Sequence, residues 1–198
     1  MQSPLIEQLI TSLRVLPGVG PKSAQRMAYH LLERQRQGAE QLAKVLDQAV
    51  KQVGHCSHCR TLTEDETCNI CRSERRDDQQ ICIVETPSDI QIFEDSAIYS
   101  GKYFVLMGHI SPIDGIGPEE LGLDKLEQLL KNKPIKEMVI ATNPSVEGEV
   151  TAHYLQHLAK KYDVTVTRLA QGIPMGSELG YLDTGTLTQA FLSRKEFE

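Results

Sequence analysis

The chain has 198 residues, 40% of them hydrophobic and 24% charged, with 14 Gly, 9 Pro, 5 Cys, no Trp and a formal net charge of −6. That length suits one domain or two small ones, and the composition excludes fibrous, collagen-like and disordered classes. The apolar runs fall far short of the ~20 residues that span a bilayer, and the opening MQSPLIEQLI has no basic stretch ahead of an apolar one. A cytoplasmic protein with no signal peptide and no membrane contact is therefore expected.

From the N-terminus, Leu5, Ile6, Leu9, Ile10, Leu13 and Leu16 fall at helical spacing, and Ser3-Pro4 supplies an N-cap and a first-turn proline. A second helix is predicted from Pro21 to about Arg36. A third takes Leu42, Val45, Leu46, Ala49, Val50 and Val53 as its buried stripe. A cysteine-rich module follows at 56–71. From Ile81 the pattern turns to strands at 81–84, 103–107, 138–142 and 164–169, with helical stretches near 87–94, 118–131 and 147–161. Such alternation implies a mostly parallel sheet with helices on its faces, so the fold class is mixed α/β.

Charge divides along the chain. Residues 1–55 carry seven Lys/Arg against four acids, whereas residues 77–198 carry ten basic against nineteen acidic side chains. A basic head on an acidic body suggests that the N-terminal part meets a polyanion. Within it, Leu16-Pro17-Gly18-Val19-Gly20-Pro21-Lys22-Ser23-Ala24 joins the first two helices. Two glycines let the backbone approach a ligand closely, and Pro21 opens a helix whose first N–H groups and dipole favour an anion. Lys22 and Arg26 lie one turn apart beside that position. A bare glycine C-cap followed by a new helix would look similar, but the segment resembles the helix-hairpin-helix DNA-binding motif. That likeness assigns phosphate contacts to Gly18, Gly20, Lys22 and Arg26.

Cys56, Cys59, Cys68 and Cys71 form two C-x2-C pairs eight residues apart. Each pair presents two thiolates from a tight knuckle, and two knuckles complete a tetrahedron for one structural zinc. Disulfides are the competing reading, opposed by the odd cysteine count and the absence of an export signal. The fifth, Cys82, lies in a strand and reads as a small buried hydrophobe. His55 and His58 flank the first pair and read as surface residues.

The strand at 81–84 delivers Glu85 at its carboxyl edge, and the strand at 138–142 delivers Asn143-Pro144-Ser145-Val146-Glu147-Gly148-Glu149. Functional groups gather at such edges in parallel sheets. The arrangement resembles the toprim domain of topoisomerases, primases and related nucleases, whose carboxylates hold Mg²⁺ for phosphoryl transfer. Asn143 and Ser145 stand where that family has its D-x-D aspartates, and neutral groups are poor Mg²⁺ ligands. Glu85, Glu147 and Glu149 remain, so any Mg²⁺ site should be weak and strand cleavage inefficient.

Glycine hairpin, four cysteines and degenerate toprim, in that order, resemble the RecR family of bacterial recombination mediators over essentially the whole chain. Residues 108–118 (GHISPIDGIGP) resemble that family's glycine- and proline-rich loop, and residues 169–183 its Walker-B-like stretch. No Walker A is present, so ATP hydrolysis is not expected. The resemblance implies four parts: a helix-hairpin-helix and oligomerisation region at 1–54, a four-cysteine zinc finger at 55–74, a toprim domain at 79–175, and a C-terminal Walker-B-like and oligomerisation segment at 176–198. It further implies a non-enzymatic, nucleoid-associated mediator. Such a protein forms dimers or tetrameric rings, binds gaps and junctions without sequence preference, and acts with RecO and RecF to load RecA where single-strand-binding protein sits. Two other readings stay open: a small Mg-dependent toprim nuclease, and a metal-stabilised scaffold without DNA contact.

Overall fold

The structure, a computed structural model, describes residues 3–194; Met1, Gln2 and the last four residues of the 176–198 segment lie outside the described residues. The chain divides into two compact units, one ending at Val53 and one beginning at Gly54.

The N-terminal unit is three helices: α1 (Pro4–Leu13), α2 (Pro21–Arg34) and α3 (Arg36–Gln52). The first and second pack together, as do the second and third. Pro4 and Pro21 each occupy the first turn, where a missing N–H costs nothing. The predicted first helix to residue 16 is cut short at Leu13, with residues 14–18 forming turns. The larger departure concerns the expected buried stripe of α3. Leu42, Val45, Leu46 and Val50 are all exposed, and α1 and α3 bury no residue fully. Among the described residues of this unit, only Ala24 and Ala28 of α2 are buried. Helical periodicity identified the apolar face correctly but could not say that the same chain would leave it uncovered.

The second unit begins with a two-stranded antiparallel ribbon, β1 (Gly54–His55) and β2 (Leu62–Thr63), and the short helix α4 (Asn69–Arg72). A parallel sheet follows, built from β3 (Asp77–Val84), β4 (Gly101–Val105), β5 (Glu137–Ala141) and β6 (Thr165–Arg168), in the order β4-β3-β5-β6. Helices α5 (Pro87–Ser96), α6 (Leu123–Asn132) and α7 (Val146–Lys160) make the connections, and α8 (Thr184–Leu192) ends the described chain. The expected helix at 118–131 starts only at Leu123. Residues 118–121 are taken up by turns, and Gly122 stands before α6 with φ +66°, outside the helical region.

Strand alternation sorts the core onto two faces. Ile81, Ile83, Phe104, Leu106, Met138 and Ile140 pack against α6 and α7 through Leu126, Leu130, Leu155 and Ala159. Cys82, Val84, Tyr103 and Val105 point the other way, against Ile90 of α5 and against Cys56, Cys59 and Cys68. The cysteine module is thus part of the cover of one sheet face. It also closes the sheet's edge, because the Val105 N–H donates to the Cys59 carbonyl at 2.9 Å. Lys102 on β4 donates to the carbonyls of Ile70, Cys71 and Ser73. An edge strand protected in this way offers no free ladder for foreign pairing.

Candidate functional site

Three sites were expected, and the structure gives each a different character. At the hairpin, Gly18 takes φ +75°, a conformation that a side chain would strain, and this bend turns α1 into α2. Gly20 stands at the N-cap of α2 with no side chain capping the helix. The first N–H groups of α2 therefore face outward beside the exposed Lys22 and Arg26. That is the electrostatic shape of a phosphate seat, with backbone donors, a helix dipole and two cations.

In the cysteine module the four Sγ atoms all lie within 4.8 Å of one another, and it is the only such cluster of His, Cys, Asp or Glu side chains among the described residues. Backbone N–H groups point at the sulfurs: Cys68 N–H donates to Cys56 Sγ at 3.3 Å and Cys71 N–H to Cys68 Sγ at 3.5 Å. In Cys56, burial raises the thiol, but the surrounding backbone donors outweigh it and draw the group down to about 7. A hydrogen bond with Cys71 and burial push the Cys59 thiol far up, and burial takes Cys68 to about 11. Four packed thiols cannot all ionise beside one another without a cation, and together they offer the closed tetrahedral sulfur set that zinc takes in structural sites. The residues present fit one zinc held by Cys56, Cys59, Cys68 and Cys71. Cys82 is fully buried beneath the module without joining the four clustered thiols, and burial raises its thiol to about 12.

Arg60, which sequence reading did not single out, locks this module to the sheet. It donates to the carbonyls of Leu106 (3.3 Å) and Leu121, and its guanidinium lies 5.6 Å from the Phe104 ring centre. Only its place directly after the first C-x2-C pair could have hinted at that role.

At the carboxyl edge of the sheet the three glutamates have three different fates. Glu85 is 4% exposed. Its two oxygens are both occupied, one by the Asn143 backbone N–H at 2.8 Å and the other by the Asn143 side-chain amide at 2.7 Å. The residue standing in place of a metal-binding aspartate thus acts as a hydrogen-bond donor to the neighbouring carboxylate. Glu149 is paired bidentately with Arg168, one contact being 2.7 Å, and the Arg168 guanidinium holds its carboxyl below the usual range. Glu147 is half-buried, and its carboxylate has no partner among the described residues. Ser145 caps α7, accepting from the Gly148 N–H at 3.1 Å. Gly148 is required by space, since a Cβ there would overlap the Asn143 carbonyl oxygen.

Two further residues belong to this edge. His109 Nδ1 lies 3.6 Å from Glu85. Thr151, fully buried, donates to the Glu147 carbonyl at 2.7 Å and accepts from the Ile110 N–H at 2.9 Å. Both sit in or against the glycine- and proline-rich loop. A cleft of about 630 Å³ opens beside the edge, lined by Ser145, Glu149, Gln171, Asp183, Thr186 and Gln189 among others.

Family profiles for the RecR helix-hairpin-helix, the RecR four-cysteine zinc finger domain, the toprim domain and the RecR C-terminal region match residues 6–50, 53–73, 79–170 and 172–195. The recombination protein RecR of Saccharophagus degradans is 58% identical, with 99% of this chain and 100% of that one covered. Those of Hydrogenovibrio crunogenus (55%; 98% and 99% covered) and Xanthomonas axonopodis pv. citri (57%; 98% and 98%) are similar over the same span.

Proposed function

The chain belongs to the RecR family of recombination proteins, and from that premise we propose that it is a non-catalytic DNA clamp and loader. Recombination is the role its relatives' name carries, and we read that role as part of DNA repair. In our reading the hairpin holds the phosphodiester backbone through the amides near Gly18 and Gly20 and the cations of Lys22 and Arg26, reading no bases. One copy makes few phosphate contacts and would bind weakly at physiological salt. Dimers or a tetrameric ring, assembled through the exposed apolar faces of the N-terminal helices and the C-terminal segment, present several hairpins to one DNA and gain by effective concentration. The working divisions are 1–54, 55–74, 79–175 and 176–198, and one zinc on the four cysteines is structural.

The observation that carries the non-catalytic reading is the Glu85–Asn143 pair. The buried carboxylate that a toprim nuclease would use already has both oxygens engaged by Asn143. Any Mg²⁺ at the edge is therefore held weakly. The acidic edge instead favours a basic protein surface, and we assign it to RecO, with RecF and RecA loading downstream, in a nucleoid-associated cytoplasmic setting. Arg168 already compensates Glu149, so Glu147 is the carboxylate left to meet that surface.

The test is end-labelled gapped DNA incubated with Mg²⁺ and resolved on a denaturing gel, with a native gel in parallel. Intact DNA in a shifted complex is expected. Lys22→Ala with Arg26→Ala should weaken binding at least about tenfold and flatten its salt dependence. Cleavage that disappears in Glu149→Gln would establish a toprim nuclease instead. Glu147→Lys should weaken RecO binding, most at low salt.

A further inference from the structure

Residues 107–117 form a finger that is rigid at its root and apolar at its tip. The root is tied to the acidic edge: the Gly108 N–H donates to the Glu85 carbonyl at 3.0 Å, and the Ile110 N–H donates to Thr151. Ser111 and Ile116 exchange both backbone hydrogen bonds (3.0 and 2.9 Å), and the Ser111 hydroxyl donates to Asp114 at 2.6 Å. Ile110 and Ser111 are buried. At the tip, Ile113 is 95% exposed. Met107, at the root, is held at φ +65°, a strained conformation for a residue with a side chain. Such strain persists where surrounding bonds over-determine it, and it gathers at functional segments.

A fully exposed isoleucine on a preformed loop gains nothing for this chain's own core. It is already ordered, so a partner that buries it gains apolar contact without the cost of ordering a flexible loop. The surrounding charge indicates what that partner is. Residues 107–122 contain Asp114, Glu119 and Glu120 and no Lys or Arg, and the finger is rooted beside Glu85 and the first turn of α7, which carries Glu147 and Glu149. Phosphate backbones and anionic lipid surfaces are repelled by such a field, and so is the same face of a second copy.

We propose that Ile113 is the apolar anchor of a protein-docking surface, seated in an apolar pocket rimmed by basic side chains on a different protein. This rests on, and deepens, the assignment of the carboxylate edge to a basic partner: Glu147 steers the encounter, and Ile113 supplies the contact that is slow to leave. The two contributions differ in kind. An apolar anchor is insensitive to salt, whereas a carboxylate that solvent reaches is screened by it.

The experiment measures binding of the full-length protein to purified RecO by calorimetry at low and moderate salt, for wild type, Ile113→Asp, Ile113→Leu and Glu147→Lys. Ile113→Asp should weaken binding at least about tenfold at both salt concentrations. Ile113→Leu should stay close to wild type. DNA binding, melting temperature and oligomeric mass should be unchanged by Ile113→Asp, because the side chain is almost wholly exposed. A wild-type complex that Ile113→Asp leaves intact overturns the anchor and spares the carboxylate reading. A change of oligomeric mass in Ile113→Asp overturns it in favour of a second copy, and absence of any wild-type complex overturns both readings.

Discussion

The N-terminal unit and the body are built from equally periodic sequence but bury it to different degrees. In the described part of the N-terminal unit only Ala24 and Ala28 are buried, while Leu5, Val15, Leu42, Val45, Leu46 and Val50 face outward. The body encloses two clusters on the faces of a parallel sheet, each closed by its own helices or by the cysteine module. The charges differ as well, the head being basic and the body acidic. The body therefore encloses its own core, whereas the head presents an exposed apolar face of the kind that marks interaction sites. The assembly and DNA contact proposed above would fall in the part with the smallest core of its own, and the proposed docking edge in the self-sufficient part.

The largest loss is expected at the cysteine module. Zinc present at about a thousand times its dissociation constant contributes about 4 kcal/mol, which for a chain of this size is a melting shift of about 10 °C. Chelation should lower the body's melting temperature by about that amount. Because the module covers Cys82, Val84 and Tyr103, the far-UV signal of the sheet should decay with it in calorimetry and circular dichroism. Chelation that left the sheet's melting unchanged would show the module to be an appendage.

The head should respond in the opposite sense. Leu46→Asp with Val50→Asp removes two exposed apolar groups from the α3 face, so the helix itself should survive. Self-association, read by sedimentation, should weaken about a hundredfold or more. A more local break is Gly148→Ala in the body, which forces a methyl group into the Asn143 carbonyl and should cost about 1–3 kcal/mol in chemical denaturation. The same change should loosen the Asn143 grip on Glu85.

The smallest expected effect sharpens the picture of the acidic edge. Arg168 lowers the Glu149 carboxyl, so their pairing contributes fully above the ordinary carboxylate range and is lost as pH falls through the lowered value. Both side chains are partly open to solvent, which screens the pair to about 0.5 kcal/mol. Glu149→Gln should show that small loss at pH 7, and wild type and variant should converge under acid in urea titrations.

Features that rest on spacing and side-chain chemistry were legible before the chain was folded. Two C-x2-C pairs define a four-thiolate cage because tetrahedral coordination needs little more than two knuckles. Proline after glycine defines a helix start, because proline cannot donate and glycine can bend. Strand alternation gives a parallel sheet and sends Glu85 and Asn143 to the same edge. What sequence could not supply depends on who faces whom. The α3 stripe is amphipathic whether its cover is the same chain or another, so its exposure was visible only once the unit was folded. Asn143 reads as a lost ligand in sequence, and only the approach of β5 to β3 makes it a donor occupying both Glu85 oxygens. Arg60 and Thr151 are ordinary polar residues on the page. Their roles come from partners 46 and 61 residues away for Arg60, and 41 for Thr151, distances over which local pattern carries no signal and only tertiary packing decides.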